Sequence, residues 1–299
     1  MSPSNLDDMT DNSEDVKMTI FINNKALETL TFSGGESHVR ITPADISDKT
    51  TIMALLHNAK DIMNLLLAVD AIRRINSHTQ IDLTIPYFPY GRQDRVCNPG
   101  EALSIKVMAE LVNSLNCHSV TIYDPHSDVT PALINHCKVI SLGDIVANSQ
   151  LATVIHERKL TLLSPDAGAE KKLHAAAKKL LKAECRVEVV CASKTRDIST
   201  GEITASNIHG ATEGKDFIIL DDICDGGRTF IELAKILKEN KSGDVYLYVT
   251  HGIFSNGLGL LQEYFKHVYC YHTLLNEDQI DHSFLTILQS SQFSHGDAK

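Results

Sequence analysis

Short apolar runs, separated by longer polar and amphipathic stretches, recur along most of the chain. Each run is about five residues long and consists mainly of aliphatic and aromatic side chains, a pattern typical of strands buried within a sheet. The runs predict strands at Met18–Ile22, Ile81–Ile85, Ser119–Tyr123, Leu160–Leu163, Val187–Cys191, Phe217–Leu220, Val245–Val249 and Val268–Tyr271.

The stretches between these runs carry apolar residues at the spacing of a helix. In the first stretch the apolar positions recur every three or four residues from Ile52 to Val69. The predicted helices are Thr51–Asn76, Ala102–Leu115, Ala167–Lys182 and Thr229–Glu239. Strands that alternate with helices imply parallel sheets covered on both faces, so we expect an α/β fold.

The length of 299 residues is typical of two domains, or of one large one. We expect the junction around Gly143–Gln150, with a first domain at residues 17–145 and a second at residues 146–290. Residues 1–16 are polar and acidic, and we expect them to form a disordered extension.

The composition argues against two classes of binding partner, nucleic acids and membranes. A formal net charge of -10 argues against a nucleic-acid partner, which would require a basic stripe. No apolar run reaches the roughly 18 residues that a membrane span needs, and the start of the chain lacks the basic and apolar segments of a signal peptide. We therefore expect a cytoplasmic protein with no membrane partner, whose seven scattered cysteines are reduced thiols.

Charged, hydroxyl and glycine residues collect just after the predicted strands, where α/β sheets bind their ligands. Arg92 and Gln93 follow one strand and offer fork-shaped and amide donors to a nucleotide, while Asp94 and Arg95 can form a supporting ion pair. His126 follows another strand.

The strongest signal is the segment FIILDDICDGGRTF, in which a buried strand runs into acids, glycines and a helix start. Neighbouring acids repel one another unless a cation or ligand hydroxyls engage them. Glycines let backbone amides approach an anion, and the helix N-terminus adds its dipole. The segment therefore predicts a sugar-phosphate site formed by Asp221, Asp222, Asp225, Gly226, Gly227, Arg228 and Thr229.

This segment resembles the binding motif that phosphoribosyltransferases share with ribose-phosphate pyrophosphokinases. The segments PYFPYGRQDR, YDPH, SPDAG, SKTR and YVTHGIFS resemble the pyrophosphokinases, in the same order, from about Lys17 to Tyr271. The resemblance implies two phosphoribosyltransferase-like domains, each a mostly parallel sheet flanked by helices. The second domain carries the sugar-phosphate loop.

The resemblance also implies an activity and the residues that perform it. The expected reaction transfers diphosphate from Mg-ATP to the anomeric hydroxyl of ribose 5-phosphate, giving phosphoribosyl diphosphate and AMP. Lys194 and Arg196, on a mobile loop, are the expected catalytic residues. ATP is expected at Arg92, Gln93, Asp94 and His126, and the Mg²⁺ cofactor at His126 and Asp166.

A segment near the start of the chain bears on assembly. FSGGE resembles a family segment that reaches the adenine of ATP bound by a neighbouring subunit, with Phe32 and Glu36 matching and Gly34 in place of an aspartate. The expected partner is a second copy of the chain, in a homo-oligomer built from dimers and, as is common in the family, a hexamer.

Two departures from the family pattern keep alternatives open. The family has a basic run where Val96–Gly100 is uncharged, which argues against inherited regulation by anions. In the phosphate loop, Gly226 replaces a threonine and Arg228 replaces a glycine. One alternative is the same reaction on a larger acceptor such as ADP-ribose, in NAD salvage. The other is a non-catalytic regulatory subunit, against which the presence of Lys194 and the acids argues.

Overall fold

The structure is a computed structural model, and it describes residues 19–196 and 203–288. These residues divide into two compact units. The first unit contains the described residues up to Ile122 together with Ser127–Val139, and the second contains Tyr123–His126 and the described residues from Ile140 onward.

The first unit is built on a six-stranded sheet with the strand order β2-β1-β5-β6-β7-β8. Strands β5, β6 and β7 are parallel, and β1 is antiparallel to both β5 and β2. A separate antiparallel pair is formed by β3 and β4. The strands are β1 (Ile20–Ile22), β2 (Lys25–Ala26), β3 (Thr29–Thr31), β4 (Ser37–Val39), β5 (Lys49–Ala54), β6 (Gln80–Ile85), β7 (Ser119–Tyr123) and β8 (Cys137–Ile140), and the helices are α1 (Ala59–Ile75), α2 (Ser104–Ser114) and α3 (Val129–Leu133).

The second unit is built on a seven-stranded sheet with the order β11-β10-β9-β12-β13-β14-β15. Its neighbouring strands are parallel except for the antiparallel pair β10 and β11. The strands are β9 (Thr161–Ser164), β10 (Val189–Arg196), β11 (Ile203–His209), β12 (Phe217–Cys224), β13 (Val245–Gly252), β14 (His267–Thr273) and β15 (Leu285–Ile287), and the helices are α4 (Leu142–Ala147), α5 (Gln150–Arg158), α6 (Ala167–Lys182), α7 (Arg228–Glu239) and α8 (Gly259–Gln262).

This architecture confirms the expected α/β class with two mostly parallel sheets flanked by helices. Each sheet has its own apolar core. In the second unit, all eight residues of β13 are buried, as expected of a strand with helices on both faces. The continuous apolar run that predicted this strand therefore reflects burial on two sides.

The prediction of one helix over Thr51–Asn76 is wrong at its start. Residues Lys49–Ala54 form β5 instead, with burial that alternates along the strand. The helix begins only at Ala59, where Asn58 and Asp61 form a reciprocal capping box. Ile52, Leu55 and Leu56 also lie at helical spacing from one another and from Ala59, so this short segment matches both patterns, which explains the error.

Several other strands extend further than predicted, and two of them, β12 and β10, carry predicted site residues. Strand β12 continues past Leu220 to Cys224 because its backbone stays in register with β13, with Asp221 opposite Val249. Strand β10 continues to Arg196 by pairing with β11, so the expected loop position of Lys194 is a strand position. The two predicted catalytic residues and two of the predicted acids therefore lie within strands.

Several expectations concern other parts of the chain. Residues 1–16, and Met18 of the first predicted strand, lie outside the described residues.

Within the described residues, no helix is both long enough and apolar enough to cross a membrane. All seven cysteines are free thiols, and Cys117, Cys185, Cys224 and Cys270 are buried.

Candidate active site

Two neighbouring acids near the carboxyl end of β12 form the centre of the site. Asp222 is 6% exposed. Its backbone N–H donates to the Asp221 carboxyl at 2.9 Å, and the two carboxyl groups also hydrogen-bond to each other. Two carboxyl groups in such contact favour a state in which they share one proton.

Two partner side chains favour ionisation of Asp222. His126 Nδ1 lies 2.8 Å from Asp222 Oδ2, and Lys172 Nζ lies 3.5 Å from the same oxygen. Both partners belong to the second unit, since Tyr123–His126 packs with it. The structure thus brings His126, predicted from the sequence, against Asp222, also predicted, and adds Lys172, which the sequence analysis missed.

Lys172 also holds a second buried acid, Asp124. Its ammonium lies 3.1 Å from Asp124 Oδ1 and donates to the Pro125 carbonyl at 2.8 Å. The other oxygen, Asp124 Oδ2, accepts a 2.8 Å hydrogen bond from the Thr250 hydroxyl. Asp124 is 2% exposed, so its charge requires these partners. Lys172 therefore sits between two buried carboxylates.

These contacts move the acid pKa values apart. Burial acts to raise the pKa of Asp222, but the His126 hydrogen bond and the charges of Lys172 and His126 outweigh it and leave that pKa below its usual range. Burial, followed by the charge of Asp222, raises the pKa of Asp221 well above its usual range. The shared proton consequently resides on Asp221, while Asp222 is a carboxylate.

Lys172 stays charged in this setting. Its burial acts to lower its pKa, but the charges of Asp124 and Asp222 outweigh the burial and raise it. The position gives no sequence signal, because Lys172 stands among several lysines of an amphipathic helix. Only the fold distinguishes it, by directing this turn of α6 toward the end of β12.

A further acid, Asp166, stands at the start of α6. Its side chain caps the helix by accepting the Ala169 N–H at 3.1 Å. Its negative charge reaches Asp221 and adds to the rise in that pKa. Carboxylate oxygens are the ligands that Mg²⁺ prefers. Asp166 therefore carries the oxygen ligands expected of the predicted Mg²⁺ site.

The glycine loop after β12 leads into a helix N-terminus. Gly227 is the N-cap residue of α7, and its backbone is left-handed, with φ +77°. Glycine has no side chain to donate or accept a capping hydrogen bond at this helix start. The first turn of α7 thus presents backbone amides and a positive dipole end, which suit an anion. The Arg228 side chain is 92% exposed and lies 3.1 Å from Glu232, one turn further along.

Arg92 and Gln93 are exposed residues of the first unit, in the turn after β6. Asp94 is 9% exposed and accepts a 2.8 Å hydrogen bond from Arg95 Nε, which confirms the predicted ion pair. The ion pair holds Asp94 in the turn, next to the exposed hydrogen-bond donors Arg92 and Gln93.

Phe32 and Glu36 close the turn between β3 and β4. The Phe32 N–H donates to the Glu36 carbonyl at 2.9 Å. The Phe32 side chain is 56% exposed, which is unusual for a phenylalanine. The predicted adenine contact is therefore an aromatic ring displayed at the tip of a hairpin.

Lys194 and Arg196 are paired along the backbone with Ser206 and Ile203 of β11. Their side chains lie outside what the structure describes. Of the predicted site residues, the contacts of the second unit link His126, Asp166, Asp221 and Asp222. Their roles in binding and catalysis remain predictions.

Comparison with known families matches both parts of the chain. Residues 5–115 match the N-terminal domain of ribose phosphate pyrophosphokinase. Residues 139–271 match the phosphoribosyl transferase domain. The second match covers β9 to β13, the strands whose ends form the acid cluster.

Individual relatives agree with these matches. A ribose-phosphate pyrophosphokinase of Rhizobium meliloti is 33% identical over 200 residues, which cover 66% of this chain but 61% of that protein. The chain thus matches less than two thirds of the length of this relative. A ribose-phosphate pyrophosphokinase of Aquifex aeolicus is 32% identical over 232 residues, 75% of this chain and 71% of that protein.

A solved structure shares the fold. The phosphoribosylpyrophosphate synthetase of Mycobacterium smegmatis superposes with a TM-score of 0.71 at 21% identity, over 88% of this chain and 85% of that one. At this identity the likeness concerns the fold, and the sequence relatives carry the assignment. The extent of the Aquifex alignment, together with the matches to both domains, shows that this chain belongs to the ribose-phosphate pyrophosphokinase family.

Proposed function

We propose that the protein transfers diphosphate from Mg-ATP to the anomeric hydroxyl of ribose 5-phosphate, giving phosphoribosyl diphosphate and AMP. The observation that carries the proposal is the acid pair of β12, Asp221 and Asp222, in which Asp222 is held by His126 and Lys172. The pair stands directly before a loop and helix start suited to a phosphate. A sugar phosphate suits both features, because its hydroxyls can bind the acid pair while its phosphate binds the loop and helix start.

The acid pair is suited to two neighbouring sugar hydroxyls. Protonated Asp221 can donate a hydrogen bond and ionised Asp222 can accept one, and each hydroxyl can do either. The 5-phosphate would then lie on the amides at the start of α7, with Thr229 as a hydroxyl donor. This arrangement holds the ribose by both ends and leaves the anomeric carbon for reaction.

In the reaction, the anomeric oxygen forms a bond to the β-phosphorus of ATP while the bond from that phosphorus to the bridging oxygen of AMP breaks. AMP leaves with the bridging oxygen, and the proton of the anomeric hydroxyl passes to solvent. Negative charge grows on the phosphoryl oxygens, so catalysis consists mainly of positioning and charge stabilisation. Lys194 and Arg196 are the proposed cations for that charge.

Mg²⁺ would be held by His126 and Asp166, and when bound it would supply charge neutralisation for the ATP phosphates. Contact with Asp222 through Nδ1 orients the His126 ring, so a contact with ATP would use Nε2. Lys172 is a positioning residue in this scheme, because it fixes Asp222 and Asp124 without itself facing the sugar.

ATP would be bound by Arg92 and Gln93 through its phosphates or base. The exposed ring of Phe32, with Glu36, is the proposed contact for an adenine bound by another copy of the chain. The proposed partner is accordingly a homo-oligomer, and a dimer is its smallest form.

A second acceptor is favoured by one feature of the phosphate loop. Gly226 carries no side-chain donor, and the exposed Arg228 offers a fork that spans two phosphate oxygens or stacks on a base. A larger acceptor such as ADP-ribose carries less charge per phosphorus and extends beyond the loop. The same diphosphate transfer would then take place on ADP-ribose.

The reaction itself is tested by product analysis. With Mg-ATP and either acceptor, phosphorus NMR should show AMP and an anomeric diphosphate, and the AMP should require both acceptor and Mg²⁺. Formation of ADP, or release of AMP without an acceptor, would refute diphosphate transfer. The ratio of kcat/KM for ribose 5-phosphate and ADP-ribose identifies the acceptor, with a tenfold ratio taken as decisive.

Asp221→Asn should stabilise the ligand-free protein at neutral pH, by about 1 kcal/mol or more, because the amide imitates the protonated acid. A raised folded pKa means that the wild type loses stability as the pH rises from the usual carboxyl pKa to the raised value. The gain of the variant should therefore grow across that window and vanish below it. Denaturant unfolding at several pH values measures it, and a gain that does not vary with pH would contradict the assignment.

Lys172→Met should lower kcat/KM by about 100-fold and raise the KM for the acceptor, since Asp222 and Asp124 lose their shared cation. It should also destabilise the fold by about 2 kcal/mol or more. Lys172→Arg should retain most activity. Lys178→Met, at an exposed position of the same helix, is the control. If Lys172→Met and Lys178→Met have the same kinetics, Lys172 has no positioning role.

A further inference from the structure

The segment after β13, residues 253–256, lies along residues 224–226 at the start of the sugar-phosphate loop, and hydrogen bonds join the two. The N–H groups of Ile253 and Phe254 donate to the Cys224 carbonyl at 2.8 and 3.1 Å. The N–H of Ser255 donates to the Asp225 carbonyl at 3.2 Å. From Phe254 onward, each residue of the segment thus meets the next residue of the loop, which places Asn256 beside Gly226.

The segment is held in this register by Phe254. This residue has a φ of +48°, a left-handed conformation that is strained for a bulky side chain. Its ring is 2% exposed, and a side chain on Gly252 would overlap it, with a Cβ only 2.0 Å from a ring carbon. Burial of the ring therefore maintains the strained turn and the position of the residues that follow.

Asn256 fills the space that a side chain at position 226 would need. Its Nδ2 donates to the Gly226 carbonyl at 3.3 Å. A Cβ added to Gly226 would lie 2.9 Å from that nitrogen, closer than real Cβ contacts. A side chain at position 226 would therefore displace the Asn256 amide, which can move because it is the end of an exposed side chain.

We infer that Asn256 takes the place of the missing loop side chain and completes the binding site for the 5-phosphoryl group of the acceptor. The inference rests on the proposed function. The amide nitrogen carries two hydrogens, of which the Gly226 carbonyl takes one, so the second can reach a phosphate oxygen. This hydrogen-bond donor comes from a segment outside the loop, so residue 226 itself can remain a glycine without a side chain.

The arrangement bears on acceptor selectivity. A hydroxyl at position 226 would belong to the loop itself and close around a free phosphate monoester. With the donor supplied from Asn256 instead, no loop hydroxyl closes around the phosphoryl group, and the group can carry a further substituent. Asn256 is thus a residue that determines specificity, and the pair with Gly226 is its structural basis.

A double-mutant cycle tests the inference, with Asn256→Gly, Gly226→Thr and the double variant. Binding of ribose 5-phosphate and ADP-ribose is measured by calorimetry and turnover by AMP release. Asn256→Gly should weaken binding of both acceptors about tenfold and leave the KM for ATP within about twofold, as expected for loss of one hydrogen bond to a charged group.

Gly226→Thr alone should weaken acceptor binding, since the new Cβ displaces the Asn256 amide from its place beside the loop. The double variant should recover acceptor binding through the threonine hydroxyl, and its preference should shift toward ribose 5-phosphate by at least about tenfold. Asn148→Gly is the matched control, because Asn148 is another exposed amide that donates to a backbone carbonyl, that of Asp144.

The outcomes separate the two proposals. If the wild type transfers diphosphate but Asn256→Gly binds acceptors as Asn148→Gly does, the inference about Asn256 is wrong and the proposed function stands. Additive effects of the two substitutions on acceptor binding would likewise overturn it. If the wild type neither binds nor converts either acceptor, the proposed function itself fails.

Discussion

The structure of the second unit depends on how two carboxyl groups in contact, Asp221 and Asp222, are held at the end of a buried strand. Two carboxylates in such a place repel each other, and each loses the water that would screen its charge. The protein resolves the conflict asymmetrically. Lys172 and His126 stabilise the Asp222 carboxylate, and Asp221 keeps a proton. The result is a fold in which the two carboxyl groups hold one proton between them and one of the two is ionised.

The parallel sheet makes this arrangement possible. Strands β9, β12 and β13 end at one edge, so their following residues meet there although they are far apart in sequence. Asp166 follows β9, the acid pair lies on β12, and Thr250 lies on β13. Helix α6 returns Lys172 to the same edge, where it joins Asp222 to Asp124. An arrangement that concentrates charge in this way sacrifices stability for binding, as functional sites commonly do.

The sequence was sufficient for the fold class and for most of the strands, because buried parallel strands leave continuous apolar runs. It failed at β5, where a short alternating segment also matched a helix, and at the end of β12, where acids continue the strand through pairing with β13. Asp222 and His126 could be predicted from motifs, but their contact could not, since it depends on the packing of distant segments. Lys172 and Asn256 carry no local signal at all. Their significance comes only from the groups that they touch.

The most direct test of this account is a carbon-13 NMR titration of the Asp221 and Asp222 carboxyl groups in the ligand-free protein. The account predicts two separated steps, with Asp222 ionising below the usual aspartate range and Asp221 keeping its proton well above it. Assignment of the higher step to Asp222, or titration of both groups together in the usual range, would contradict the asymmetric pair on which the proposed site is built.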